Sequence, residues 1–96
     1  MDWVALITML ITTILPLIIN KGPTANKVAL QRRAVRYQAI SDAALAKGDL
    51  EGAFAVGEMA SLCECLAVAP DAGQQQQLLA AAQDGLKAAV AAGKVA

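Results

Sequence analysis

The sequence predicts an all-α protein: an N-terminal apolar helix expected to be transmembrane, then a helical hairpin, then a third amphipathic helix. Three observations lead there. Alanine is abundant and the aromatics are limited to Trp3, Tyr37 and Phe54, a composition that suits closely packed helices better than a sheet. The run from Trp3 to Ile19 carries no formal charge. Beyond it, breaks at Gly22-Pro23, Gly48-Asp49 and Pro70-Asp71 separate segments of helical length.

A chain of 96 residues allows one small domain. The expected divisions are an apolar helix over 1–20, a linker over 21–26 and a helical module over 27–96, with helices at about 27–47, 50–69 and 72–92. Without the apolar segment roughly 75 residues remain, a size at which one core is only marginally stabilising, so other subunits are expected to complete the fold.

A helix from Trp3 to Ile19 would be about 25 Å long, slightly short of a hydrocarbon core of roughly 30 Å. Lys21 could snorkel and Trp3 could sit at the interface to cover the difference. Ten of its positions are Ile, Leu or Val, worth roughly −3 to −6 kcal/mol on an insertion scale before the threonines and the proline offset part of it. A bilayer is therefore an expected partner. Lys21, Lys27, Arg32, Arg33 and Arg36 follow the run as a basic flank, which by the positive-inside rule places the N-terminus outside and the C-terminal part in the cytoplasm. The Met-Asp start and the exit through IINKGP do not resemble a cleavable signal.

The same run also reads as a helix buried in protein. Ala5, Thr8, Thr12 and Pro16 are spaced three, four and four apart, which aligns them as a helix-packing face of small and polar residues. Pro16 has no N–H for the carbonyl of Thr12, so a bend or an end is expected there.

The second helix is expected to be capped by Thr24 or Asn26, with Leu30, Ala34, Tyr37, Ile40 and Ala44 as its apolar face and Arg32, Arg33 and Arg36 off that face. Gly48 supplies its stop and Asp49 the next start, with Glu51 in a first turn that favours a carboxylate. The third helix is apolar around much of its girth: Leu50, Phe54 and Gly57 on one side, Met59, Leu62 and Leu66 on another. Hairpin packing is assigned to Tyr37, Ile40, Ala53, Phe54, Gly57 and Ala60. The last helix carries Leu78, Leu79, Ala82, Leu86, Ala89 and Val90 as its stripe, with Gln74 to Gln77 as polar first turns and AAGKVA as a fraying end.

Tyr37, Ile40, Ser41, Ala44, Gly48-Asp49-Leu50, Ala53, Phe54, Gly57 and Ala60 resemble a single tetratricopeptide repeat over about a third of the chain. Pro70 lies beyond the expected repeat end, Gly57 stands where a large residue is usual, and no second copy follows. The resemblance implies a shared helix-turn-helix geometry, since such arrays need about three repeats.

The net charge of zero hides a segregation. Residues 21–47 hold six bases against Asp42, and residues 48–71 hold Asp49, Glu51, Glu58, Glu64 and Asp71 with no base, a pattern that favours pairing within the hairpin or between copies. The acidic stretch and the shortage of interleaved aromatics argue against nucleic acid as a partner.

Histidine is absent, which removes the usual proton shuttle and the commonest metal ligand. Cys63 and Cys65 point about 200° apart on a helix, too far to share a metal or close an unstrained disulfide. No catalytic, cofactor or metal set assembles, and Ser41 and Ser61 have no base to activate them. The expected role is a non-enzymatic small structural subunit of a larger multi-chain assembly, a membrane complex or the interior of a bacteriophage particle, as a homo-oligomer or beside neighbouring subunits. Alternatives are a single-pass adaptor with a cytoplasmic partner and a membrane-permeabilising lysis-type protein.

Overall fold

The apolar run is helical but does not keep one register. In the computed structural model, which describes residues 3–91, α1 spans Trp3–Met9, a π-helical segment spans Leu10–Ile14 and α2 spans Leu15–Ile19. Pro16 accounts for the change. The Leu15 N–H donates to the Leu10 carbonyl, five residues back; the next donor in that register is residue 16, which has no N–H. The Ile11 carbonyl is therefore left without a ladder partner, and the Gln83 side-chain amide donates to it from another helix at 3.4 Å. The expected bend at Pro16 is thus a π segment on its N-terminal side, and the carbonyl served from another helix is that of Ile11.

One side of this helix is protein core. Leu10 and Leu15 are fully buried, and Ile11, Ile18 and Ile19 nearly so. No helix among the described residues is long and apolar enough to cross a membrane, so the expected span is not supported. The run is interrupted in register, and Leu10, Ile11, Leu15, Ile18 and Ile19 are turned onto the rest of the chain, with Leu17 left exposed. Trp3, expected at a lipid interface, instead lies with its indole against Gly52.

Helix α3, Pro23–Ala46, begins four residues earlier than expected. Proline at the first helical position has the required φ already set and lacks only an N–H that would be unpaired there anyway. Residues 23–26 are thus the first turn of α3 and not linker. Asn26 is not a cap: it is buried, and its Nδ2 donates to the Ile19 carbonyl at 3.2 Å and to Gln75 Oε1 at 3.1 Å. Gln75 Nε2 returns a bond to Asn26 Oδ1 at 3.1 Å and donates to the Leu66 carbonyl at 3.0 Å. This reciprocal amide pair joins the end of α2, the start of α3, the end of α4 and the start of α5.

The α3–α4 turn is set by two residues. Gly48 has φ +82°, which glycine adopts without steric cost, and the N–H groups of Gly48 and Asp49 donate to the carbonyls of Leu45 and Ala44, the paired pattern of a Schellman stop. Asp49 also starts the next helix: its Oδ1 accepts the Gly52 N–H at 2.9 Å. Helix α4 covers Leu50–Val68. Asp71 repeats the device, accepting the Gln74 N–H at 2.8 Å, and α5 follows over Ala72–Ala91.

Every regular element among the described residues is therefore a helix, with no strand. Helices α3 and α4 form an antiparallel hairpin, and Leu30, Val56, Cys63 and Leu66 from it meet Leu10 and Leu15 in the core. Leu79 is the buried contribution of α5, with Ala82 and Leu86 half-buried beside it, whereas Leu78, expected in the same stripe, is exposed. The smallest dimension is 17 Å, two helical layers. The Val90 side chain and the 92–96 tail lie outside the described residues.

Candidate protein–protein interface

The two layers leave one side of the hairpin uncovered. The N-terminal helix and α5 occupy the side of α3 and α4 that carries Leu30, Val56, Met59, Cys63 and Leu66. On the opposite side Phe54 is 74 % exposed, Val35 72 % and Val68 70 %, with Leu45 and Leu50 exposed beside them. These are five of the large apolar side chains of a short chain, and they fall on one surface.

That surface is grooved along its length. A depression of about 500 Å³ is lined by Gln31, Ala34, Val35, Gln38, Ala60, Glu64, Ala67 and Val68. A second, of about 270 Å³, is lined by Gln38, Ser41, Asp42, Leu45, Leu50, Ala53 and Phe54. Gln38 borders both. Small side chains make the floor, which lets α3 and α4 approach closely: Ser41 Oγ donates to the Ala53 carbonyl at 2.7 Å, and a Cβ on Gly57 would stand 3.3 Å from Ser41 Oγ.

The hairpin residues named from sequence divide accordingly. Tyr37 and Ala60 are buried and Ala53 and Gly57 half-buried between the helices, as hairpin packing requires. Ile40 and Phe54 are exposed. Apolarity alone does not fix their side, and helical phase puts Phe54 on the groove rim and Ile40 on the flank of α3, off the groove.

The N-terminal stripe is not turned inward. Ala5 and Thr12 are exposed and Thr8 and Pro16 half-buried, and Thr12 Oγ1 donates within its own helix, to the Thr8 carbonyl at 2.6 Å. Within the chain the core face is Leu10, Ile11, Leu15, Ile18 and Ile19. In the basic flank, Lys21, Arg32 and Arg36 are exposed, Lys27 is half-buried, and Arg33 Nη1 donates to the Tyr37 hydroxyl at 2.9 Å.

The chemistry of the surface is that of packing. Among the described residues no group of three His, Cys, Asp or Glu could hold a metal ion. Burial pushes the Cys63 thiol up from 9.0 to about 11, against a smaller opposing pull from Arg33, so it stays a neutral core group. Cys65 is exposed. Sequence reading missed Asn26, Gln75 and Gln83, whose amides bridge helices; a polar residue on a helix gives no local sign of a distant partner. No family model matches the sequence, and neither a curated protein nor a solved structure matches it.

Proposed function

We propose that this protein is a non-enzymatic structural subunit that packs against other polypeptides through the open face of its α3–α4 hairpin. The observation that carries this reading is the apolar groove with Val35, Leu45, Leu50, Phe54 and Val68 exposed along it. Contiguous apolar surface on a small protein marks an interaction site, whereas single exposed aliphatics do not. The N-terminal helix serves here as a bundle element, because its aliphatic side fills the core.

In-cell cross-linking tests this. The chain is expected in complexes with other polypeptide copies or subunits, and Phe54→Glu, at a side chain that contributes nothing to the core, should release it. An unchanged cross-linking pattern with Phe54→Glu would sink the reading.

A second reading is a single-pass membrane adaptor with its N-terminus outside. It has one observation in its favour: the outer side of the N-terminal helix is uncharged, with Met9 and Leu17 exposed. Extraction distinguishes the two. Recovery without detergent supports the bundle element; recovery only with detergent supports the adaptor.

A further inference from the structure

We infer that the partner seated on the open hairpin face is a second copy of this chain, with α3 of each copy lying over α4 of the other to close a two-fold four-helix bundle. This rests on the packing role proposed above and names its partner. Two observations carry it: the size of the face and the sign of its edges.

Helix α3 has 24 residues and α4 has 19, so at 1.5 Å per residue they run roughly 36 and 28 Å. Two helices side by side are roughly 20 Å across, which makes a footprint of about 600–700 Å². Stable complexes bury about 600–1,000 Å² on each partner. One matching hairpin is the right size of occupant.

The edges have opposite charge. Arg32 and Arg36 line a shallow depression with Val28, Gln31 and Val35 on the outer side of α3. On α4, Glu58 lies beside Ala55, Met59 and Leu62 on the side away from α3, and Glu51, two turns earlier, shares that side; Glu64 lies inside the groove, across from Gln31, Val35 and Gln38 of its own chain. Among the described residues no ion pair joins the two edges within the chain.

Two-fold symmetry allows two face-to-face arrangements. An axis across the helices would lay α3 on α3, basic edge on basic edge and acidic on acidic. An axis along the helices lays α3 on α4 and sets each basic edge against an acidic one, with every neighbouring pair of helices antiparallel. Like charges in opposition are unfavourable at an interface, so the second arrangement is selected.

The register agrees with it. Ser41 is level with Ala53 and Gly57 in the hairpin, which puts Arg36 within about one helical turn of the level of Glu58. Rotation about an axis along the helices preserves those levels. Arg36 of one copy therefore meets Glu58 of the other, and Phe54 of one meets Leu45 of the other.

Light scattering and sedimentation on the purified full chain test this from about 1 to 100 μM. The expected species has twice the 9.9 kDa chain mass. Phe54→Glu and Val35→Glu should each give monomers with unchanged helical circular dichroism, since both side chains are exposed. Arg36→Glu and Glu58→Arg should each weaken the dimer at least tenfold, and the two together should restore most of the affinity. A wild-type monomer at 100 μM, or a larger oligomer, overturns the proposal. No recovery in the double reversal overturns the α3-over-α4 arrangement. A monomeric pure chain that is still cross-linked in cells, and released by Phe54→Glu, overturns self-pairing and leaves the packing role standing; loss of both removes the two together.

Discussion

At Gly52 three features meet on one backbone position. The residue is buried, its N–H is capped by Asp49, and a Cβ there would collide with both the Trp3 indole and the Asp49 carboxylate. Gly52→Ala gains helix propensity of about 1 kcal/mol but forces that contact apart, and overpacking of this kind costs about 1–3 kcal/mol. The expected outcome is a net loss of stability in urea unfolding, with a shift of Trp3 fluorescence. An increase in stability would show that the indole moves aside freely. The two thiols give a second prediction. Native protein at pH 8 should be alkylated at Cys65 and spared at Cys63, and denatured protein at both, as read by mass spectrometry. Because burial raises the Cys63 pKa from 9.0 to about 11, folding favours its protonated form. That stabilisation is complete below pH 9 and lost as pH rises towards 11. Stability should therefore fall over that window, and fall less steeply in Cys63→Ala.

At the scale of elements, side-chain amides do the work of joining helices. The Asn26–Gln75 pair makes four hydrogen bonds at a point where four helix ends converge. Removing one member leaves buried donors and acceptors unpaired, at about 1–3 kcal/mol for the stranded group. Asn26→Leu and Gln75→Leu are each expected to destabilise by that amount or more, and the double variant by clearly less than their sum. Additive losses in urea unfolding would mean the two amides do not depend on each other. Gln83 and Pro16 form another coupled pair, since the glutamine serves a carbonyl that the proline cannot. Gln83→Leu should cost about 0.5–1.5 kcal/mol with Pro16 present and close to nothing in a Pro16→Ala background, where a backbone N–H is restored. Equal costs in both backgrounds would disconnect the π segment from the proline.

At the scale of the whole molecule, the N-terminal helix decides whether the rest folds. Burying Leu10, Ile11, Leu15, Ile18 and Ile19 is worth on the order of 10 kcal/mol at about 1.5–3 kcal/mol each, an upper figure because denatured chains already bury some surface. Small domains are stable by only about 5–15 kcal/mol. Deleting residues 1–20 should therefore abolish cooperative thermal unfolding by circular dichroism. An anchor would be removable without that loss, so a cooperative melt in the shortened chain would return the segment to the role its hydropathy suggests.

Much of the helical layout was legible in the sequence because its determinants are local. Gly48 with Asp49 and the Pro70-Asp71 break mark their turns through φ preference and capping, which depend only on neighbouring residues, and α4 begins at Leu50 as read. The basic and acidic blocks were equally plain. What only the tertiary structure decided is what each face meets. An uncharged run reads alike whether lipid or protein surrounds it, because hydrophobicity has no direction; the fold turned Leu10 and Leu15 into the core and left Ala5 and Thr12 outside. Likewise Phe54 and Tyr37 are both aromatic residues of the hairpin, yet one is on the rim of a groove and the other inside. Helical phase relative to a distant neighbour separates them, and a local pattern does not contain that phase. The amide of Gln75 finds Asn26 across 49 residues of chain, a pairing that exists only once the helices have met.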